Sequence, residues 1–189
     1  MSSILKVDTI QDSSGNNIIN ESSDTITIGA SGDTINIVGT LQNNGSSVGE
    51  TNTPSFRANP ASGTTVANDT ATKIAFTTEV YDTDSAYDAS NSKFVVPSGK
   101  AGRYFFVAAL EYNITSATTS ARVQIRKNGS IALNKMGYNS YYDNNIVCGV
   151  LNLAVDDYIE VYGYQNSGGS KNTQTGTAAN FFAGFKVEG

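Results

Sequence analysis

Histidine and tryptophan are missing from this 189-residue chain, cysteine occurs once, proline three times, and charged residues make up only 15%. Without histidine, Ser-His-Asp and Cys-His nucleophilic designs are excluded, as is every His-ligated zinc or iron centre. The one cysteine, Cys148, cannot close an internal disulfide, and its setting, NIVCGVLNL, reads as a buried strand position. No histidine or dense basic cluster stands near it in sequence to lower its pKa. Long apolar runs are missing too: nothing approaches the roughly 18 residues of a membrane span, so no membrane insertion is expected. The opening residues, MSSILKVDTIQDSSG, hold no basic stretch followed by an apolar core, and export by a secretory signal is not expected. Lys and Arg number 12 against 17 Asp and Glu, for a net charge of -5, and they are scattered. Counterion release therefore has no evident footprint, and nucleic acid is not an expected partner.

What remains is apolar residues at 39%, 18 glycines, and a surface vocabulary of Asn, Ser and Thr that suits turns and exposed strand faces. That is an all-β composition. It changes character near residue 50, which divides the chain into an arm, 1–50, and a larger domain, 51–189. Within the arm two Asp-Thr-Ile units begin at Asp24 and Asp33, and each sets isoleucines at alternate positions: Ile26 and Ile28, then Ile35 and Ile37. Alternation of this kind marks a strand with one buried face. The stretches ILKVDTI, NNIIN, TITIG and TINIV are read as short strands. A buried isoleucine is worth roughly 1.5–3 kcal/mol, yet the first 50 residues supply no second apolar layer. Two arrangements would cover these side chains: several chains wound into a stalk, or a strand added to another protein's sheet.

Beyond the connector GETNTPSFRANPASGTT the expected strands are longer: KIAFTTEVYD, SKFVVPSG, GRYFFVAALEYNI, ARVQIRKNGSIALNK, NIVCGVLNL, DYIEVYGYQN and ANFFAGFKVEG. Asn128-Gly129 between two alternating runs predicts a two-residue type I′ hairpin. The domain reads as one antiparallel β-sandwich of about eight to ten strands.

Chemistry is sparse. Asp156-Asp157, Glu111 and Glu160 are the acids available for a glycosidase-like pair, but adjacent residues in a strand or turn point apart, and no enzyme is expected. Asp82, Asp84 and Asp88 place three carboxylates within seven positions, a calcium candidate that lacks the glycine and distal Glu of a calcium loop. No cofactor is expected. Tyr138, Asn139, Tyr141, Tyr142 and Asp143 crowd aromatic faces and polar partners into an expected loop, and Tyr162, Tyr164, Gln165 and Asn166 form a second such stretch. Aromatic faces flanked by amides and carboxylates suit sugars, although packing between copies of the chain would use the same tyrosines.

KFVVPSGKAGRYFF resembles the central signature of the complement C1q-like, tumour-necrosis-factor-like jelly roll, through Phe94, Pro97, Gly102, Tyr104 and Phe106. LNLAVDDYIEVYGY is similar to the leucine, acidic turn and strand that follow there, and FFAGFKVEG looks like its closing strand, through Phe182, Gly184 and Phe185. The arm resembles the starts of fibre and other virion proteins of marine, particularly cyanobacterial, tailed phages. The resemblance implies a homotrimer of jelly rolls around a threefold axis, with Ile26, Ile28, Ile35 and Ile37 facing sister chains in a short stalk. It implies a phage structural protein assembled in the host cytoplasm, joined to tail or capsid proteins through residues 1–50. The expected ligand is a host surface glycan, met by Tyr138, Asn139, Tyr141, Tyr142, Asp143, Tyr164 and Gln165. The alternative is a capsid decoration protein that stabilises the head.

Overall fold

The computed structural model describes residues 9–11, 13–15, 17–22, 25–28, 31–39, 41–43, 46–47, 52–114, 119–139 and 144–188. The chain divides into two compact units, Met1–Glu50 and Thr51–Gly189.

In the first unit β1 (Thr9–Gln11), β2 (Asn17–Ser22) and β3 (Thr25–Ile28) form an antiparallel sheet, and β4 (Gln42–Asn43) pairs with β5 (Ser46–Ser47). The register sets Ile10 opposite Ile19 and Ile19 opposite Ile28. One isoleucine from each strand thus joins a row across the sheet, and all three are exposed, as are Ile26, Ile35 and Ile37. The expected strand TINIV, residues 34–38, is not one: it pairs with no strand among the described residues. Most of ILKVDTI lies outside the described residues.

The second unit contains β6 (Ser55–Asn59), β7 (Thr65–Val66), β8 (Thr72–Lys73), β9 (Thr78–Asp82), β10 (Tyr87–Asp88), β11 (Lys93–Val95), β12 (Gly102–Glu111), β13 (Thr119–Lys127), β14 (Ser130–Asn139), β15 (Asn144–Leu153), β16 (Tyr158–Gln165), β17 (Lys171–Asn172) and β18 (Phe181–Glu188). One sheet runs β15-β12-β18-β6-β9; the other runs β10-β11-β16-β13-β14, with β8 also beside β16. Every ladder between these strands is antiparallel. No helix occurs among the described residues.

Alternation decides most of what each strand turns into the core. Tyr104, Phe106, Ala108 and Leu110 of β12 point inward beside Phe182 of β18 and meet Ala121, Val123 and Ile125 of β13 and Ile159 and Val161 of β16. The centre is aromatic. The Phe56 ring stacks on Tyr87 at 4.8 Å and Phe94 at 5.2 Å, and takes the Phe182 edge at 4.9 Å. Phe94 and Phe106 meet at 5.4 Å, so the spaced aromatics of the KFVVPSGKAGRYFF signature converge in the core. Glycine is required at 184, where a Cβ would sit 2.5 Å from the Phe106 ring.

Three expectations are corrected. The supposed connector contributes β6, with Phe56 and Ala58 fully buried, because its alternation continues through a proline-flanked segment. KIAFTTEVYD is two strands of different sheets: β8 lies beside β16 and β9 beside β6, while Ile74 and Phe76 enter the core between them. Cys148 is exposed, since its neighbour Val147 takes the inward position on β15. The hairpin at Asn128-Gly129 forms with φ of 51° and 80°, the doubly positive pair a type I′ turn needs.

Replacing Phe56 with Ala should lower stability by about 3–5 kcal/mol in urea denaturation, because the cavity opens where both sheets meet. Ile131→Ala, at an exposed hairpin position, should change it by less than about 0.5 kcal/mol. Equal effects would refute this placement of the core.

Candidate functional site

Each sheet of the second unit has an outer face, and the two differ in chemistry. On the five-stranded sheet the register builds three successive rows: Val150, Phe105, Phe185; then Cys148, Val107, Ala183; then Ile146, Ala109, Phe181. All nine positions are apolar or thiol. Val150 is 53% exposed, Ile146 50% and Phe185 37%. Patches of this continuity mark interaction surfaces more often than bare solvent-facing area. At the edge the Arg57 guanidinium lies 4.6 Å over the Phe181 ring and donates to the Thr177 carbonyl at 3.0 Å.

The outer face of the six-stranded sheet is polar and aromatic. The residues that alternate with Ile159 and Val161 on β16 are Tyr158, Glu160, Tyr162 and Tyr164, and those that alternate with Val123 and Ile125 on β13 are Arg122, Gln124 and Arg126. Across the ladders Tyr164 stands opposite Arg122 and Met136 opposite Arg122; Lys73, Tyr162, Gln124 and Asn134 form the next row; Lys93, Glu160 and Arg126 form the third. The Arg122 guanidinium sits 4.6 Å from the Tyr164 ring centre, Arg126 4.0 Å from Tyr162, and the Lys93 ammonium 5.8 Å from Tyr158. The carboxylates of this face are occupied: Glu160 holds Lys73 at 2.6 Å, Asp69 accepts the Tyr164 hydroxyl at 2.9 Å, and Asp88 accepts from the backbone and side chain of Asn91. That hydroxyl donation to Asp69 raises the Tyr164 pKa.

The expected ligand residues divide. Tyr138 and Asn139 lie on the last two positions of β14, opposite Ser120 and Thr119, rather than in a loop. Tyr141, Tyr142 and Asp143 lie outside the described residues. Tyr164 and Gln165, neighbours in sequence, fall on opposite faces of β16. Gln165 is fully buried: its amide donates to the Val66 and Gly169 carbonyls at 3.0 and 2.8 Å, and its Oε1 accepts from Ser167. It is a clamp between β16 and the chain around β7, not a surface contact. Ser120 bonds Asn166 in both directions, so the two tyrosine-bearing stretches end side by side, with β13 between them. Sequence reasoning passed over Arg122 and Arg126. Their signal was present in ARVQIRK, whose charged and amide residues alternate with apolar ones.

Asp82, Asp84, Asp88 and Asp157 make internal bonds. Asp82 accepts the Tyr87 and Asp84 amides, Asp84 accepts the Thr83 hydroxyl and faces Lys100 at 3.6 Å, and Asp88 binds Asn91. These carboxylates do not converge, and no metal-holding group of three is found among the described residues. Asp157, 14% exposed, pairs with Lys127 at 2.7 Å and accepts from Asn128 Nδ2 and the Ala154 amide. Its pKa falls to about 2, through the hydrogen bond from Lys127 first, then those of Asn128 and Ala154.

No protein-family model matches the chain, and no curated protein does. Among solved structures murine APRIL at pH 5.0 aligns with a TM-score of 0.55 at 16% identity, over 70% of this chain and 98% of that one. The fold is a tumour-necrosis-factor-like jelly roll. Murine APRIL at pH 8.5 aligns at 0.54 and 15% identity over the same shares. The globular domain of zebrafish complement 1qA aligns at 0.49 and 16%, over 71% and 98%. At these identities the likeness is one of fold.

Because the folded Asp157 pKa of about 2 lies below the ordinary value of 3.8, its stabilising contribution is full above pH ~4. It is lost as pH falls from there toward 2. Asp157→Asn should therefore melt lower than the parent at pH 7, and the two melting temperatures should converge near pH 2. A gap independent of pH would refute the ion pair as its cause.

Proposed function

We propose that this protein is a non-enzymatic structural protein of a tailed-phage particle: a homotrimeric fibre or knob. Residues 1–50 join it to other virion proteins, and its jelly roll is displayed outward to bind a host surface glycan. The observation that carries the reading is the apolar outer face of the five-stranded sheet, centred on Phe105, Phe185 and Val150. A sheet face of this kind is stable in water when sister copies cover it, and closed threefold symmetry covers it without leaving an edge that polymerises. The arm supports the same reading independently. Its isoleucine row, Ile10, Ile19 and Ile28, together with Ile26, is apolar surface in a unit too small to bury it, which favours winding with sister arms.

The chain offers binding rather than bond-making chemistry. It has no histidine, and of the acids considered for a catalytic pair Glu160 and Asp157 are engaged in internal ion pairs. Weak contacts repeated three times in a trimer, and again over many trimers, reach stable attachment through effective concentration.

Light scattering on the full chain should give the mass of three chains, and Phe105→Glu with Phe185→Glu should give one. A single-chain mass for the unaltered protein would overturn the reading. For the glycan role, Tyr138→Ala with Tyr141→Ala and Tyr142→Ala should cut adsorption of labelled trimer to host cells while leaving the mass unchanged.

A further inference from the structure

We infer that the outer face of the six-stranded sheet, at Arg122, Arg126, Asn134, Tyr162 and Tyr164, is a binding site for an anionic polysaccharide. The inference rests on the glycan-binding reading above and names the chemical class of the glycan and the surface that takes it.

The first ground is a mismatch of satisfaction. Glu160, Asp69 and Asp88 each already have a partner, whereas none of the ion pairs among the described residues uses Arg122 or Arg126. Arg126 donates two of its N–H groups to the Gln124 side chain and keeps the rest. Arg122 is more exceptional: its Nε is buried without a hydrogen-bond partner. That nitrogen is closed off from outside, so an oxyanion would meet the other N–H groups of the same fork, whose positive charge no carboxylate among the described ion pairs neutralises.

The second ground is preorganisation. Each guanidinium is held against a tyrosine ring, at 4.6 Å for Arg122 and 4.0 Å for Arg126. The rings fix the planes, so the planar forks meet a carboxylate or sulfate with less ordering left to do. The two arginines are four positions apart on one strand, which at about 3.3 Å per residue sets the forks ~13 Å apart. Between them lie the Tyr162 ring and the exposed Asn134 amide, while Gln124, buried beneath, accepts from Arg126 and steadies its fork.

That layout selects among polyanions. Separated charges with aromatic and amide groups between them fit a polymer whose acidic groups alternate with hydroxyl-bearing sugar rings. A densely charged nucleic acid would meet a chain of net charge -5 with only this local cationic strip to hold it. The site is also on the opposite sheet from the apolar face, so an assembly closed through Phe105 and Phe185 leaves it accessible.

The test uses the full chain against four probes: alginate for carboxylates, dextran sulfate for sulfates, neutral dextran and single-stranded DNA, each by calorimetry at low and high salt. Binding to alginate or to dextran sulfate is expected, weakening with salt, and the preferred arm names the acidic group. Arg122→Gln with Arg126→Gln should reduce that binding about tenfold or more, with cooperative unfolding retained and assembly mass unchanged. If that variant does not fold, Arg122→Lys with Arg126→Lys keeps the charge but drops the fork, and a several-fold loss is expected from it. Equal binding by parent and variant, or DNA bound as tightly as the acidic glycans, would overturn the inference. If the variant still adsorbs to host cells like the parent, this site fails while the receptor reading stands. If the parent binds neither glycan nor cells, the receptor reading fails with it.

Discussion

The Phe56 ring holds the second unit together. It comes from a five-residue strand of one sheet and stacks on Tyr87 and Phe94 of the other, while meeting Phe106 and Phe182 of its own. Aromatic pairs add about 0.5–1.5 kcal/mol beyond the area they bury, and this ring makes several such pairs at once. The two sheets are therefore keyed by ring geometry and not only by apolar area. The register of β12 against β18 follows, since glycine at 184 is what lets Phe106 lie flat against the neighbouring strand.

Once the core is filled from the inside of both sheets, alternation forces every other side chain outward, and the outer faces are where function is distinguished. The five-stranded sheet turns phenylalanine and aliphatic residues outward; the six-stranded sheet turns out tyrosine, arginine and amide groups. One face suits burial by copies of the same chain. The other suits a polar ligand. The buried polar groups between them serve the frame: the Tyr112 hydroxyl donates to the Arg122 carbonyl and accepts the Tyr164 amide, and burial pushes its pKa up. Gly163 makes room for that hydroxyl, since a Cβ there would lie 2.5 Å from it. The core thus supports, from beneath, the backbone that carries Arg122 and Tyr164.

Much of the fold is legible in the sequence, for local reasons. Alternation in GRYFFVAALEYNI and DYIEVYGYQN shows which residues turn together, and Asn128-Gly129 states its own turn because the backbone there needs positive φ at both positions. The places where the reading slipped share a cause. SFRAN is short and bounded by prolines, so its alternation looked like a connector. Cys148 stands in a run that is apolar on both faces, where period two cannot tell inside from outside. Gln165 reads as loop because NSGGS follows it, although the strand extends through it and turns its amide inward.

The sequence by itself determined the all-β class, the antiparallel hairpin, the aromatic signature of the core and the lack of histidine-based chemistry, because each depends on residues close together or on residue types alone. Only the tertiary structure decided which strands are neighbours. The pairing of β13 with β16 set Arg122 over Tyr164 and Arg126 over Tyr162, and the pairing of β12 with β15 and β18 gathered Phe105, Val150 and Phe185. Those partners lie tens of positions apart, and no periodicity within a single strand records which strand lies beside it.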